Sequence, residues 1–298
     1  MAALGELALA PNPYINAARG APALRDELAA LKDELISQVV KTLITEAAIS
    51  VAMVTLTCFF VASTSVILTF ALWTIAVLGF KALFHVSSAY IQYRQEVIRN
   101  DFTPEALDEK ENNEMFQRMA AYFNSLSFAL IYGSSLGTLI HEKGHAIAAN
   151  LVFKLPNPQI TITGPFEGVT RWSWSTLTSF GEKFGLKNAR LFVAAGGTVL
   201  ALLTSLGLLI LAYGLKGQQP EISQQLNMMA FVSISSHAEY ALSALFSSSP
   251  GHDFATLAAG GIHPLFSFAL IILIPLLLLG LLHLIDRAFV QAPVPVLP

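Results

Sequence analysis

Residues 141–145 read His-Glu-Lys-Gly-His. On an α-helix, positions i and i+4 share a face, so His141 and His145 can offer two imidazoles to one metal ion. Glu142 stands beside them and can take a proton from a water on that metal. The ion that suits this set is zinc, which brings the pKa of a bound water to about 7 and so makes a hydroxide available at neutral pH. The expected cofactor is therefore Zn2+, one per chain. His141 and His145 are the expected ligands and Glu142 the expected catalytic base.

A catalytic zinc takes a third protein ligand and keeps its fourth position open. Downstream of the motif the candidates are Glu167, Glu182, Glu221, His237, Glu239, His252, Asp253 and His263. Glu167 reads as a solvated turn residue in Gly-Pro-Phe-Glu-Gly, and Glu182 and Glu221 fall in polar loops. His237 and Glu239 lie within an otherwise apolar stretch, two residues apart and so facing different ways. Asp253 precedes Phe-Ala-Thr-Leu-Ala-Ala, where an Asp also reads as a helix N-cap, with Gly260 closing the short helix. Asp253 is favoured as the third ligand; His252, His237 and Glu239 stay open as alternatives.

The elements that must position these residues are membrane elements. The chain has 298 residues, 54% hydrophobic and only 12% charged, against about 25% charged in soluble domains. Residues 47–80 carry no charge and are too many for one ordinary span, since a span needs about 20 apolar residues. They predict two spans, 42–62 and 66–88, turning near Ala62-Ser63-Thr64-Ser65. Met119–Ile140 is a further uncharged run, of 22 residues, that leads straight into the motif. Later spans are expected at 191–214, 226–247 and 265–285, the last with a kink at Pro275. Ahead of them, residues 1–20 read as loosely structured. Leu24, Leu28, Leu31 and Leu35 then recur at helical spacing, which predicts an amphipathic helix leading into the first span. In the connector 154–190, Ile160-Thr161-Ile162-Thr163 alternates and Val169-Thr170-Arg171-Trp172 resumes after Gly164-Pro165 and Gly168, which predicts a β-hairpin.

The expected architecture is thus an all-α, multi-pass integral membrane protein of about six transmembrane helices with a short membrane-associated β-hairpin. Its segments are 1–41 with the amphipathic helix, 42–118 with an accessory pair of spans and a polar connector, 119–260 as the metal-bearing core, and 261–298 as a last span and tail. The lipid bilayer is the expected surroundings. A net charge of −3 gives no support to a nucleic-acid partner. A single cysteine, Cys58, cannot form an internal disulfide and reads as a small core hydrophobe. The first residues lack the basic region of a cleaved signal peptide. Nothing in the pattern speaks to oligomeric state.

With these residues in place, the chain resembles the site-2 protease family of intramembrane zinc metalloproteases over about residues 119–260. His141-Glu142-Lys143-Gly144-His145 matches that family's H-E-x-G-H near one end of a membrane helix. The stretch 160–171 resembles its short membrane-dipping hairpin, and Pro250-Gly251-His252-Asp253-Phe254 stands where the family carries an Asp after a Pro-containing turn. Three departures are visible: Phe254 replaces the usual Gly, no Asn precedes Pro250, and Gly196-Gly197 is read as a turn opening a span where the family has Gly-Pro. The connector has no room for the PDZ domain of some members. The resemblance implies hydrolysis of a membrane-spanning segment of another protein, with Asp253 as third ligand. An edge strand at 158–163, with Ile160 and Ile162, would hold the unwound substrate by strand addition. Two other readings compete: a catalytically silent relative that binds a membrane partner, for which Phe254 speaks, and a metal-ion transporter using His237, Glu239 and His263.

Overall fold

In lipid every backbone N–H and C=O must find its partner within the protein, and a helix achieves this within one segment. The uncharged runs of this chain fold accordingly. The computed structural model describes residues 21–61, 63–99, 101–173, 176–247 and 251–290. In chain order these hold α1 (Ala21–Cys58), α2 (Thr64–Val97), α3 (Pro104–Tyr132), a π-helical turn (Gly133–Gly137), α4 (Thr138–Val152), β1 (Gln159–Gly164), β2 (Glu167–Arg171), α5 (Ser179–Leu215), α6 (Pro220–Ser243), α7 (Asp253–Ala259) and α8 (Pro264–Val290). The loosely structured start expected for 1–20 lies outside the described residues, as does Pro250.

The all-α class with one small hairpin is the expected one. Among the described residues five helical segments are long and apolar enough to cross a membrane: Asp26–Cys58, Thr64–Val97, Pro104–Val152, Ser179–Leu215 and Pro264–Arg287. The uncharged run 47–80 is two helices, broken between Cys58 and Thr64, where the Ser63 hydroxyl accepts from the N–H of Val66 at 3.5 Å. The stretch expected as a span at 226–247 is helical from Pro220 to Ser243 but is not among the five. Ser233, Ser235, Ser236, His237 and Glu239 lower its apolarity. The motif lies near the C-terminal end of the helical segment Pro104–Val152, which runs on about two turns past His145. Gly196-Gly197 is no turn. Both lie inside α5, and the helix breaks instead at Gly185 (φ 72°, ψ 160°), a conformation that glycine alone adopts at no cost.

The chain divides into two units, Met1–Ala48 with Leu78–Asn124, and Ile49–Val77 with Ser125–Pro298. In the first unit, the leucine stripe of α1 turns inward: Leu28 and Leu31 are half-buried and Leu35 is buried. One helical turn into the apolar part sits Glu46, 2.9 Å from the Nζ of the fully buried Lys81. Lys81 also donates to the Asn124 carbonyl at 3.1 Å, and His85 Nε2 lies 3.0 Å from the other Glu46 oxygen. Charges at such positions persist only when paired. Further along, Ser88 and Gln117 exchange two hydrogen bonds, at 2.8 and 2.9 Å, and Arg94 grips Glu109 through two nitrogens, each at 2.9 Å.

In the second unit α4 and α5 cross at glycine. A Cβ on Gly144 would strike the Gly196 carbonyl oxygen and lie 2.8 Å from the Gly197 Cα, so only glycine permits this approach. Beyond the crossing, Ala148, Ala149, Val152 and Phe153 pack on Ala189 and Val193. A second apolar cluster, Ala194, Ala238, Ala241, Phe254, Leu257 and Ile271, joins α5, α6, α7 and α8. The hairpin pairs Ile160 with Thr170, Thr161 with Val169 and Ile162 with Gly168. Its β1 side is closed at Ile162, whose N–H donates to the Phe60 carbonyl at 2.8 Å, with Val61 bridging in parallel. Among the described residues no third strand covers the β2 side.

Candidate metal centre and catalytic carboxylate

His141, Glu142 and His145 stand on α4, and the π-helical turn Gly133–Gly137 immediately precedes it. A π-turn carries an extra residue per turn and so rotates everything after it. The Thr138 hydroxyl, donating to the Gly133 carbonyl at 3.0 Å, secures it. The Glu142 and His145 side chains are thereby buried, and His141 is 12% exposed at the wall of a cavity of about 740 Å³.

Asp253 reaches the two histidines from α7, 108 residues after His145. Its Oδ2 lies 3.1 Å from His145 Nε2 and 3.2 Å from His141 Nε2, and the two nitrogens are 3.0 Å apart. These three residues form a group whose ligand atoms are close enough to hold one metal ion. The hydrogen bonds behind the rings decide their tautomers. His145 Nδ1 is 2.7 Å from the Val193 carbonyl, which can only accept, so the proton is on Nδ1. His237 Nδ1 likewise donates to the Ser233 carbonyl at 2.7 Å, so its Nε2 accepts, and the His141 Nδ1–H donates to it at 2.9 Å. In both ligand histidines Nε2 is then bare. With both imidazoles neutral, two lone pairs and a carboxylate oxygen converge, an arrangement that repels unless a proton or a metal cation sits among them. The three ligand atoms are 3.0 to 3.2 Å apart, so His141, His145 and Asp253 would hold one ion within reach of all three, as zinc's bond lengths of about 2.0–2.2 Å require. Two imidazoles and one carboxylate, with a cavity on the open side, fit a zinc ion that keeps a coordination position free.

The other candidates are elsewhere. His237 stands behind His141 and is not a member of the ligand group. His252, not Asp253, is the N-cap of α7: its Nδ1 accepts from the Ala255 N–H, its Nε2 pairs with Ser243 Oγ at 2.9 Å, and its ring stacks on Tyr240. Its lone pair is therefore committed to capping. Asp253 is the first residue inside the helix, its own N–H donating to the Tyr240 hydroxyl at 3.2 Å, and its carboxylate is left for the histidines. Glu239 and Glu167 are exposed at the cavity wall, and His263 accepts from the Leu265 N–H at the start of α8. Ile160 and Ile162 do not line the cavity. Ile162 is fully buried and its strand edge is taken by Phe60, so the edge expected at 158–163 is the closed one.

Four participants have no signature in the sequence. Thr170, on β2, donates to Glu142 Oε2 at 2.7 Å and to the Glu142 carbonyl at 3.0 Å; Gly168 lies over the same side chain, where a Cβ would come within 2.7–3.0 Å of it. Gly197 faces the ligand rings, and a Cβ there would be 2.7 and 2.8 Å from His141 Cε1 and Nε2 and closer still to His145 Nε2. Tyr240 completes the set by holding the start of α7. A glycine pair inside an apolar run and a threonine in an alternating strand are the only traces these leave. Comparison of the chain with protein-family models, with curated proteins and with solved structures found no match in any of the three.

Proposed function

We propose that this chain is a membrane-embedded zinc endopeptidase of the site-2 protease type, which hydrolyses a peptide bond in or near a membrane-spanning segment of another protein. The reading rests on one observation: the bare Nε2 atoms of His141 and His145 converge with Asp253 Oδ2 beside a buried glutamate, on a cavity. Bound at that point, zinc supplies the Lewis acidity that makes water acidic and a peptide carbonyl electrophilic. Glu142 takes the proton from the attacking water and returns it to the leaving amide nitrogen. Thr170 holds one oxygen of that carboxylate, leaving the other to face the reaction.

A helical substrate hides its carbonyls and must be unwound before attack, and the β2 edge suits the extended form. Ile162 points its N–H away from β2, toward Phe60. Its cross-strand partner Gly168 is then a non-hydrogen-bonded pair and turns its own N–H and C=O outward, as does Thr170 two residues on. Both residues line the cavity, so a substrate strand added there lies alongside Glu142.

Phe254, the departure that favours a silent relative, is buried at 2% exposure in the cluster with Ala238, Ala241 and Leu257, and it does not line the cavity. The test uses purified protein in detergent. Wild type should carry one equivalent of zinc and cleave a transmembrane substrate. Glu142→Gln should keep the zinc and lose cleavage by a factor of at least about 10², and His141→Ala should lose the metal. Wild-type cleavage by Glu142→Gln would overturn the reading.

A further inference from the structure

We infer that His237 is a positioning residue for the metal: it fixes the tautomer and tilt of His141 from behind, and does so as a neutral acceptor. The inference rests on the metal reading above and adds to it a residue outside the ligand motif, on a different helix. His141 is the more exposed of the two ligand histidines, 12% against 6%, and the Glu-Lys-Gly-His sequence that follows supplies nothing to hold its Nδ1. Among the described residues the hydrogen-bond partner of that atom is His237 Nε2, 2.9 Å away. His145 has a backbone carbonyl in the same role, Val193 at 2.7 Å. A carbonyl needs no tautomer of its own. An imidazole does, and the Ser233 carbonyl one turn back on α6 supplies it by binding His237 Nδ1 at 2.7 Å. The order of protons along the chain is then forced. Ser233 accepts from His237, His237 accepts from His141, and His141 is left with Nε2 bare toward Asp253 and His145.

Ser233 is itself fixed, buried at 6% exposure with its hydroxyl 3.0 Å from Ser205 on α5. The relay therefore anchors one metal ligand to the two helices that pack behind the cavity. The relay gives a role to His237 and Ser233, two of the polar residues in the middle of α6. Partners of this kind raise the basicity of a ligand imidazole and hold its ring to the metal.

The experiment compares wild type with His237→Leu and His237→Gln as full-length protein in detergent, using zinc in competition with a chelator and Co2+ as a spectroscopic probe. His237→Leu fills similar space but cannot accept; zinc affinity should fall about 10- to 100-fold, and the visible bands of bound Co2+ should shift. His237→Gln offers its Oε1 to the same N–H and should recover most of both. Unfolding in excess chelator measures the metal-independent cost of each substitution, and the metal comparison is made between variants that remain folded there. Wild-type zinc affinity and an unshifted Co2+ spectrum in His237→Leu, with His141→Ala still losing metal, would overturn this inference and leave the proposed function standing. Failure of Gln to restore what Leu removes would also overturn it, since packing alone would then be the cause. A wild-type protein that binds neither ion tightly would overturn the metal reading, and this inference with it.

Discussion

At the scale of single residues, the site is defined as much by what is small as by what is charged. Gly197 has no side chain because the two imidazoles occupy the place where one would be. Gly197→Ala should therefore displace both rings and lower zinc affinity by at least about tenfold, while Gly207→Ala, on the same helix with open space around it, should leave metal content unchanged; metal analysis of the two variants checks this. Thr170 hydrogen-bonds Glu142, the proposed base, and none of the three proposed ligands. A hydrogen bond to a charged group contributes about 1.5–3 kcal/mol, so Thr170→Val should slow cleavage by about 10- to 100-fold at unchanged zinc content. Asp253→Asn separates capping from ligation. His252 carries the cap, so the substitution should leave the fold intact and weaken metal binding, because the amide has no negative charge. Wild-type metal affinity in Asp253→Asn would remove Asp253 from the ligand set.

At the scale of elements, helix crossings and polar clusters do different work. α4 and α5 meet backbone to backbone at Gly144 and Gly196–Gly197, the small-residue packing that replaces a hydrophobic driving force in membranes. In the other unit α1, α2 and α3 are joined by Glu46, Lys81, His85 and the Asn124 carbonyl. Breaking a buried pair from one side leaves a charge without compensation and costs about 3–5 kcal/mol, whereas replacing both partners by apolar groups is often neutral. Lys81→Met should thus lower the unfolding midpoint in detergent clearly, and adding Glu46→Leu should restore much of it. A double variant that is less stable than the single one would show that the cluster does more than balance charge.

At the scale of the whole molecule, five long apolar helices predict that the protein stays with membranes through high salt and alkaline carbonate and leaves them only in detergent. Release by carbonate, checked by blotting the pellet and supernatant, would contradict a multi-pass arrangement. Much of this scale is legible in the sequence because lipid imposes a local rule. Each span must satisfy its own backbone, so uncharged length reports it directly, as in 47–80 with its break near Ser63. The hairpin is legible for a similar reason: alternation between Gly and Pro punctuation is a property of neighbours in the chain. His141, Glu142 and His145 are legible because the helix period alone places two rings on one face. What tertiary structure decided lies where partners are far apart in sequence. Asp253 meets His145 across 108 residues, and its carboxylate is free for the metal only because His252 took the cap. His237 looked like a possible ligand by residue type, yet its place behind His141 follows from the packing of α6. The hairpin pattern put the open edge at 158–163; Phe60 closes that edge at Ile162, and Glu142 packs against the face of β2 at Gly168 and Thr170. Spacing within a helix or strand is set by backbone geometry that every residue carries with it. Which face meets which, and which lone pair is left over, is settled only when separate segments pack.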